Sequence, residues 1–337
     1  MVLGLRRPPT GEFETDAKVR YHFVLILLAC SILGCLLPTW AQQQAQWIPG
    51  QDGLNAGILP DPGLTYANLT INYSAGSLRN AKGSPVPVVG TFGFWAIENV
   101  VDYVPKVKIL GGEFAAQIMM PTANAAVTLP KFGVNAGGTG YSDTWVQPAT
   151  LGWNLKHVDT WLAYAFMAPT GRFAPGATNN VGSGYWGNDI VSGTTVYLTK
   201  NKKTTANLAT DWEIHCKKQG TNETPGQAFT MEWGLGQMFP LDKKMTRLLQ
   251  LGVIGYDQWQ VSDDGGTLSS GVPARLIPFY SVHAMGVQSD FLAPTKNLVF
   301  FFKFEPEYLA YSHTQGHTIV FGGSWTWGFP RAKTTKP

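Results

Sequence analysis

The residues of this 337-residue chain with the means for chemistry are charged side chains set two apart, in runs that alternate with apolar ones. Asp211 and Glu213 alternate with Leu208, Trp212 and Ile214. Lys303, Glu305 and Glu307 alternate with Phe300, Phe302 and Phe304. Glu113, Lys156, Glu232 and Arg275 take the same polar parity in other runs. A spacing of two places such residues on one face of a β-strand, opposite the bulky ones. There they could hold neighbouring strands in register through ion pairs, or line a polar path that selects among solutes. The spacing leaves both readings open.

Other chemistries fit less well. A lipase built on a barrel needs a Ser and a His on the outward rim with an orienting amide. His157 is followed by Val158-Asp159-Thr160 and has no Ser in that arrangement. His313 and His317 are spaced for a helix rather than a tight hairpin and lack a carboxylate partner, so a zinc or protease site is not expected. Asp263-Asp264-Gly265-Gly266 lacks the further spaced carboxylates of a calcium loop. The Gly-rich 133–140 lacks the Lys and the strand–turn–helix setting of a phosphate loop. No enzymatic activity, metal or cofactor is expected. A net charge of +3 speaks against nucleic acid as a partner.

The elements that must position these residues follow from patterning. Only 14% of residues are charged, 12% are aromatic and 38 are Gly, which excludes a disordered chain. Phe23 to Trp40 carries no charge, follows Arg20 and leads to Thr39-Trp40-Ala41, so residues 1–41 read as a secretory signal peptide. An uncleaved anchor and a lipid-modified Cys30 or Cys35 are the competing readings. After cleavage only Cys216 remains, so no intrachain disulfide can form.

Beyond it, period-two alternation recurs. Twelve strands are expected near 64–74, 88–104, 107–120, 143–157, 159–168, 190–200, 204–216, 227–239, 246–259, 273–288, 297–311 and 317–329. Most are long enough to cross a bilayer at a tilt. Short connections alternate with long ones at 75–87, 121–142, 169–189, 217–226 and 260–272. An even strand number, short turns alternating with long loops, and bulky faces opposed to small or charged faces describe a transmembrane antiparallel β-barrel of the outer-membrane type. Its lipid face would be the bulky one. Residues 42–62 are expected as a short periplasmic segment, too small for a plug. The barrel is expected over 63–329, with a tail at 330–337. The last strand, alternating aromatics to Phe329, would be read by the barrel-assembly machinery. Strand 159–168 is apolar on both faces, so it turns either Trp161 with Met167 or Tyr164 with Phe166 into the lumen.

Several segments resemble the outer-membrane family associated with the meta-pathway of phenol degradation. They are Leu151-Gly152-Trp153-Asn154-Leu155, Ala168-Pro169-Thr170-Gly171-Arg172-Phe173, Asn179-Asn180-Val181-Gly182 and Gly184-Tyr185-Trp186-Gly187. Gly255-Tyr256-Asp257-Gln258, Ser262-Asp263-Asp264-Gly265 and Phe302-Lys303-Phe304-Glu305-Pro306-Glu307 extend the likeness over most of 63–329. The resemblance implies a barrel of about twelve strands in a bacterial outer membrane that takes up small hydrophobic or aromatic compounds. It transfers no catalytic residue. A structural or adhesive barrel with a sealed core, and a soluble secreted β-sandwich, are the alternatives.

Overall fold

The computed structural model describes residues 45–87 and 89–328; the expected signal peptide, Phe329 and the tail at 330–337 lie outside the described residues. Twelve long antiparallel strands form the wall. They are β1 (Gly63–Leu78), β2 (Thr91–Val104), β3 (Gly112–Leu129), β4 (Thr144–Asn154), β5 (Val158–Ala168) and β6 (Gly187–Tyr197). They continue as β7 (Thr204–His215), β8 (Ala228–Pro240), β9 (Leu248–Gln260), β10 (Ser281–Ala293), β11 (Leu298–Tyr311) and β12 (Thr314–Gly328). Each pairs with its chain neighbours, and β1 pairs with β12 from Gly63↔Gly328 to Leu78↔Thr314, so the sheet closes without an edge.

Alternation along each strand sorts the two faces. Leu235, Met285 and Phe300 look outward, 51–56% exposed, while Glu213, Glu232 and Glu305 on the opposite parity are 0–2% exposed. A wall that turns Leu, Val and Phe outward and buries carboxylates is the inverse of a soluble fold and suits a lipid surround. Near the long-loop end an outward aromatic row runs from strand to strand through Trp212, Phe229, Trp259, His283 and Tyr308, with ring centroids 5.5–6.4 Å apart. Trp325 and Trp327 stand at the other end of β12. These rows are girdles that fix the depth of the barrel in a bilayer.

Short connections (105–111, 155–157, 198–203, 241–247, 294–297) gather at the end that holds Gly63 and Gly328, and long ones at the other; 312–313 is a tight hairpin among the long loops. Two boundaries differ from expectation. The segment 121–142 is not a free loop, because β3 continues to Leu129 and Val134–Tyr141 folds back along it. The strand expected from 273 starts only at Ser281, because Pro273 and Pro278 have no N–H for a ladder and Ala274–Leu276 makes one 3₁₀ turn instead.

The largest correction concerns the segment before β1. Residues 45–62 do not lie outside the barrel. Ala45 packs against Ala228 and Tyr280 near the long-loop end, and the chain descends through the lumen to Gly63. Bare glycines on the inner wall make room for it. A Cβ at Gly236 or Gly252 would come within 2.9 or 2.8 Å of the Leu54 methyls, and one at Gly193 within 2.2 Å of the Ala56 carbonyl. This close approach accounts for the glycines on the polar strand faces.

Candidate functional site

The lumen is the candidate site, and its polar residues hold the inserted segment. β7 presents Glu213, whose Oε2 accepts the amides of Gln46 (2.7 Å) and Trp47 (3.1 Å). β8 presents Glu232, which accepts the Trp47 indole N–H at 3.0 Å and the Asp52 amide at 2.7 Å. From β11, the Lys303 ammonium donates to the carbonyls of Gly50, Gln51 and Asp52. Neutral side chains complete the cradle. Gln288 Oε1 accepts from Leu54 N (3.0 Å), Asn207 Oδ1 from Asn55 N (2.9 Å) and Thr195 Oγ1 from Gly57 N (2.9 Å). Gln250 Oε1 accepts the Asn55 side-chain amide at 2.7 Å, and Trp161 Nε1 donates to the Ala56 carbonyl at 2.7 Å. An irregular segment inside a barrel must find partners for its backbone, and the wall supplies them.

Glu307 does something else. It accepts the phenols of Tyr73 (3.1 Å) and Tyr256 (2.9 Å) and the Gly316 amide (2.6 Å), tying four strands together across one end of the lumen. Glu305 and Asp211 are buried with little help: Glu305 Oε2 and both Asp211 oxygens have no hydrogen-bond partner, nor does Asp189 Oδ2 beside them. The ladder of wall ion pairs is not what these residues form. Among the described residues the one carboxylate contact of ion-pair length to a basic side chain in the lumen is Glu213 with the His215 imidazole, at 3.2 Å.

Six of the nine charged residues singled out from the sequence therefore share the buried face: Asp211, Glu213, Glu232, Lys303, Glu305 and Glu307. Glu113 sits half-buried at the short-turn mouth, opposite Lys108. Two lie elsewhere. Lys156 is exposed in the turn after β4, which ends at Asn154, and Arg275 is exposed in the 3₁₀ turn of the long loop before β10. Counting charges alone missed Asn207, Gln250, Gln258 and Gln288. Their inward parity was available in the sequence.

The opposite arc of the lumen is more apolar, though Glu98, Gln147, Thr150 and Asp159 are buried in it. Val100, Met119, Trp145, Ala163, Ala165, Met167 and Val191 form one buried cluster, with Leu69, Trp47 and Trp161 against it. Trp47 of the inserted segment meets Trp145 at 5.1 Å between ring centroids. Nearer the long loops Tyr73, Phe92, Val127 and Leu129 form a second cluster beneath Val134 of the folded-back strand. β5 thus turns Trp161 and Met167 inward, and Tyr164 and Phe166 outward. Asp143, outside the spanning strands at this mouth, clasps the 169–186 loop by accepting the amides of Gly171 (2.9 Å) and Ser183 (2.6 Å). Its burial pushes the carboxyl above the ordinary aspartate range, against the pull of those amides.

In comparison with known proteins, the model of the family described as "Putative MetA-pathway of phenol degradation" matches residues 75–322. Among solved structures, an outer-membrane channel from Pseudomonas putida F1 is similar with a TM-score of 0.65 at 13% identity, covering 84% of this chain and 100% of that one. The β-domain of the Bordetella autotransporter BrkA follows with a TM-score of 0.48 at 13% identity, covering 79% and 100%. No curated protein matches in sequence. Closed strand pairing, the outward apolar belt, the family match and the likeness to the Pseudomonas putida channel put the chain in the bacterial outer membrane as a transmembrane barrel.

Proposed function

The chain belongs to the MetA-pathway phenol-degradation family, and from that premise we propose that it is a plugged conduit for small apolar or aromatic compounds. Transfer is passive and non-enzymatic. A solute leaves the outer mouth near Phe92 and Val127, follows the apolar arc past Met167 and Trp145, and leaves near Trp161. The inserted segment occupies the other side and keeps hydrated ions out. The observation that carries this reading is the pair of apolar clusters on the inside of the wall, where a water-filled pore would have polar residues. The C-terminal strand serves as the handle for the assembly machinery.

The test uses cells whose outer membrane carries the barrel. Uptake of N-phenyl-1-naphthylamine should exceed that of cells without it, while the purified barrel in a planar bilayer should pass little ionic current. Equal uptake with and without the barrel would overturn the proposal and favour a sealed structural barrel. The dense hydrogen bonding of residues 45–62 is the feature that would then matter most.

A further inference from the structure

On the outside of the wall, three residues stand in an order that the lumen reading does not use. Asp257 on β9 and His283 on β10 are cross-strand partners in register. Both belong to the odd, outward parity of their strands, with Val253 and Met285 exposed on the same faces. His283 Nδ1 lies 2.7 Å from Asp257 Oδ1, and its Nε2 lies 3.3 Å from Ser281 Oγ. Asp257 Oδ2 also accepts the Trp233 indole N–H at 3.1 Å, which fixes the carboxylate. The Asp257 and His283 side chains are only 15% and 12% exposed, covered by the aromatic row in which Trp259 and Tyr308 flank the imidazole. A bulge in β11 at this point turns Tyr308 outward next to His283.

We propose that Ser281, His283 and Asp257 form a hydrolase triad on the lipid-facing rim, acting on acyl esters of membrane lipids. A nucleophile, a base within reach of it and a carboxylate orienting that base are what such catalysis needs, and apo spacings are often longer than in the working complex. Position gives the substrate class. The triad lies in the outward girdle, at the level of headgroups and the first acyl carbons, so the ester linkages of lipids come within its reach and those of dissolved molecules do so less.

The chemistry balances with water alone. Ser281 Oγ attacks the ester carbonyl carbon as its proton passes to His283 Nε2. The carbonyl oxygen takes the electron pair and is met by the phenol of Tyr308, whose ring lies beside His283. On collapse the C–O bond to the alcohol breaks and His283 gives its proton to the departing oxygen. Water then attacks the acyl-serine, passing its proton through His283 back to Ser281 Oγ. The products are the free fatty acid and the lyso-lipid. Ser281 and His283 are the catalytic residues, and Asp257 is a positioning residue.

The full chain, folded in vesicles of phospholipid and lipopolysaccharide, is treated with a fluorophosphonate and digested. The expected adduct sits on Ser281, in a protein that keeps heat-modifiable mobility on gels. This needs no variant and so does not depend on any variant folding. The chain should also release fatty acid from a phosphatidylethanolamine labelled in its acyl chain. S281A should lower that rate by on the order of 10³-fold or more. D257N should slow labelling by on the order of 10²–10⁴-fold, and D257E, which keeps a carboxylate on the His283 side of the strand, should recover part of that loss; a merely structural Asp257 would show no such recovery in a folded barrel. Absence of a Ser281 adduct, or fatty-acid release by S281A at the native rate, overturns the triad. Cleavage of p-nitrophenyl octanoate without cleavage of the phospholipid overturns the lipid assignment.

Discussion

The two arcs of the lumen are built from the same strand pattern yet bury opposite chemistry. Along β2 to β6 the inward residues include Val100, Met119, Trp145, Ala165, Met167 and Val191, with Glu98, Gln147, Thr150 and Asp159 as buried polar exceptions. Along β6 to β11 they are Asp189, Asp211, Glu213, Glu232, Gln250, Gln288, Lys303 and Glu305. The difference follows from what each arc faces. The polar arc meets a backbone, and a backbone needs hydrogen-bond partners. The apolar arc meets the Trp47 ring and, lower down, Ala56 and Leu59, so it faces fewer backbone amides and carries more apolar surface. The inserted segment thus lies against a polar side that holds it and leaves a more apolar side opposite.

Placing a charge on the apolar arc should break this division most severely. Met167→Asp sets a carboxylate among Trp145, Ala165 and Val191, where an unpaired buried charge costs several kcal/mol. Uptake of N-phenyl-1-naphthylamine should fall about tenfold or more, toward the rate of cells without the barrel. Asn207→Asp adds the same charge to the opposite arc while keeping the oxygen that accepts Asn55 N, and should leave apolar uptake unchanged. Equal losses in both would show that the arcs are not functionally distinct. Lys303→Met comes next. It removes the ammonium that holds three successive carbonyls of the segment. Hydrogen bonds to charged groups contribute about 1.5–3 kcal/mol, so the released state should become at least about tenfold more populated. Single-channel recording would register this as more frequent open events, and limited proteolysis as faster cleavage within residues 45–62.

The wall was legible in the sequence because its code is local. A period of two, turns rich in Pro and Lys, and strand lengths of ten or more are visible without any tertiary information, and they led to twelve strands. Where Pro273 and Pro278 interrupted an apolar run, the same code misled. The arcs were less legible. Parity put Glu213 and Glu232 on the inner face, but nothing in it says whether an inward carboxylate meets a wall cation or a backbone amide. That depends on a segment with no periodicity, Ala45 to Pro62, whose partners lie more than 130 residues away at Gly57–Thr195 and more than 250 away at Gln51–Lys303. The outward triad was hidden for a similar reason. Ser281 and His283 sit at a strand start that the sequence places eight residues too early, and Asp257 joins them only across the sheet.

Smaller effects sharpen the holding side by asking which of its acids hold anything. Asp211 has no partner for either oxygen at 5% exposure, and neighbouring Asp189 Oδ2 lacks a donor too, so Asp211→Asn, whose amide N–H can donate where a carboxylate cannot, should stabilise the barrel by about 1–3 kcal/mol. Glu232→Gln loses charge from two made bonds and should destabilise it. A rise in the urea midpoint for the first and a fall for the second separate the two roles.

Asp242, in the short turn at the foot of the same strands, is the acid at the other extreme. It accepts the amides of Thr246 (3.1 Å), Lys244 (2.9 Å) and Arg247 (2.9 Å) and the Thr246 hydroxyl. These bonds, the Thr246 amide first, hold its carboxyl below the ordinary aspartate value of 3.8. A carboxyl whose folded pKa is depressed contributes stability in full above the unfolded value, and that contribution is lost as pH falls through the folded one. Asp242→Asn should therefore lower the unfolding temperature at neutral pH by no more than about 2 °C. The gap between variant and native chain should close as pH is taken below 3.8 toward the depressed value. Asp211→Asn removes no hydrogen bond and should instead raise the unfolding temperature. Melting curves for the two variants at neutral and acid pH distinguish an acid that organises its surroundings from one that is only enclosed by them.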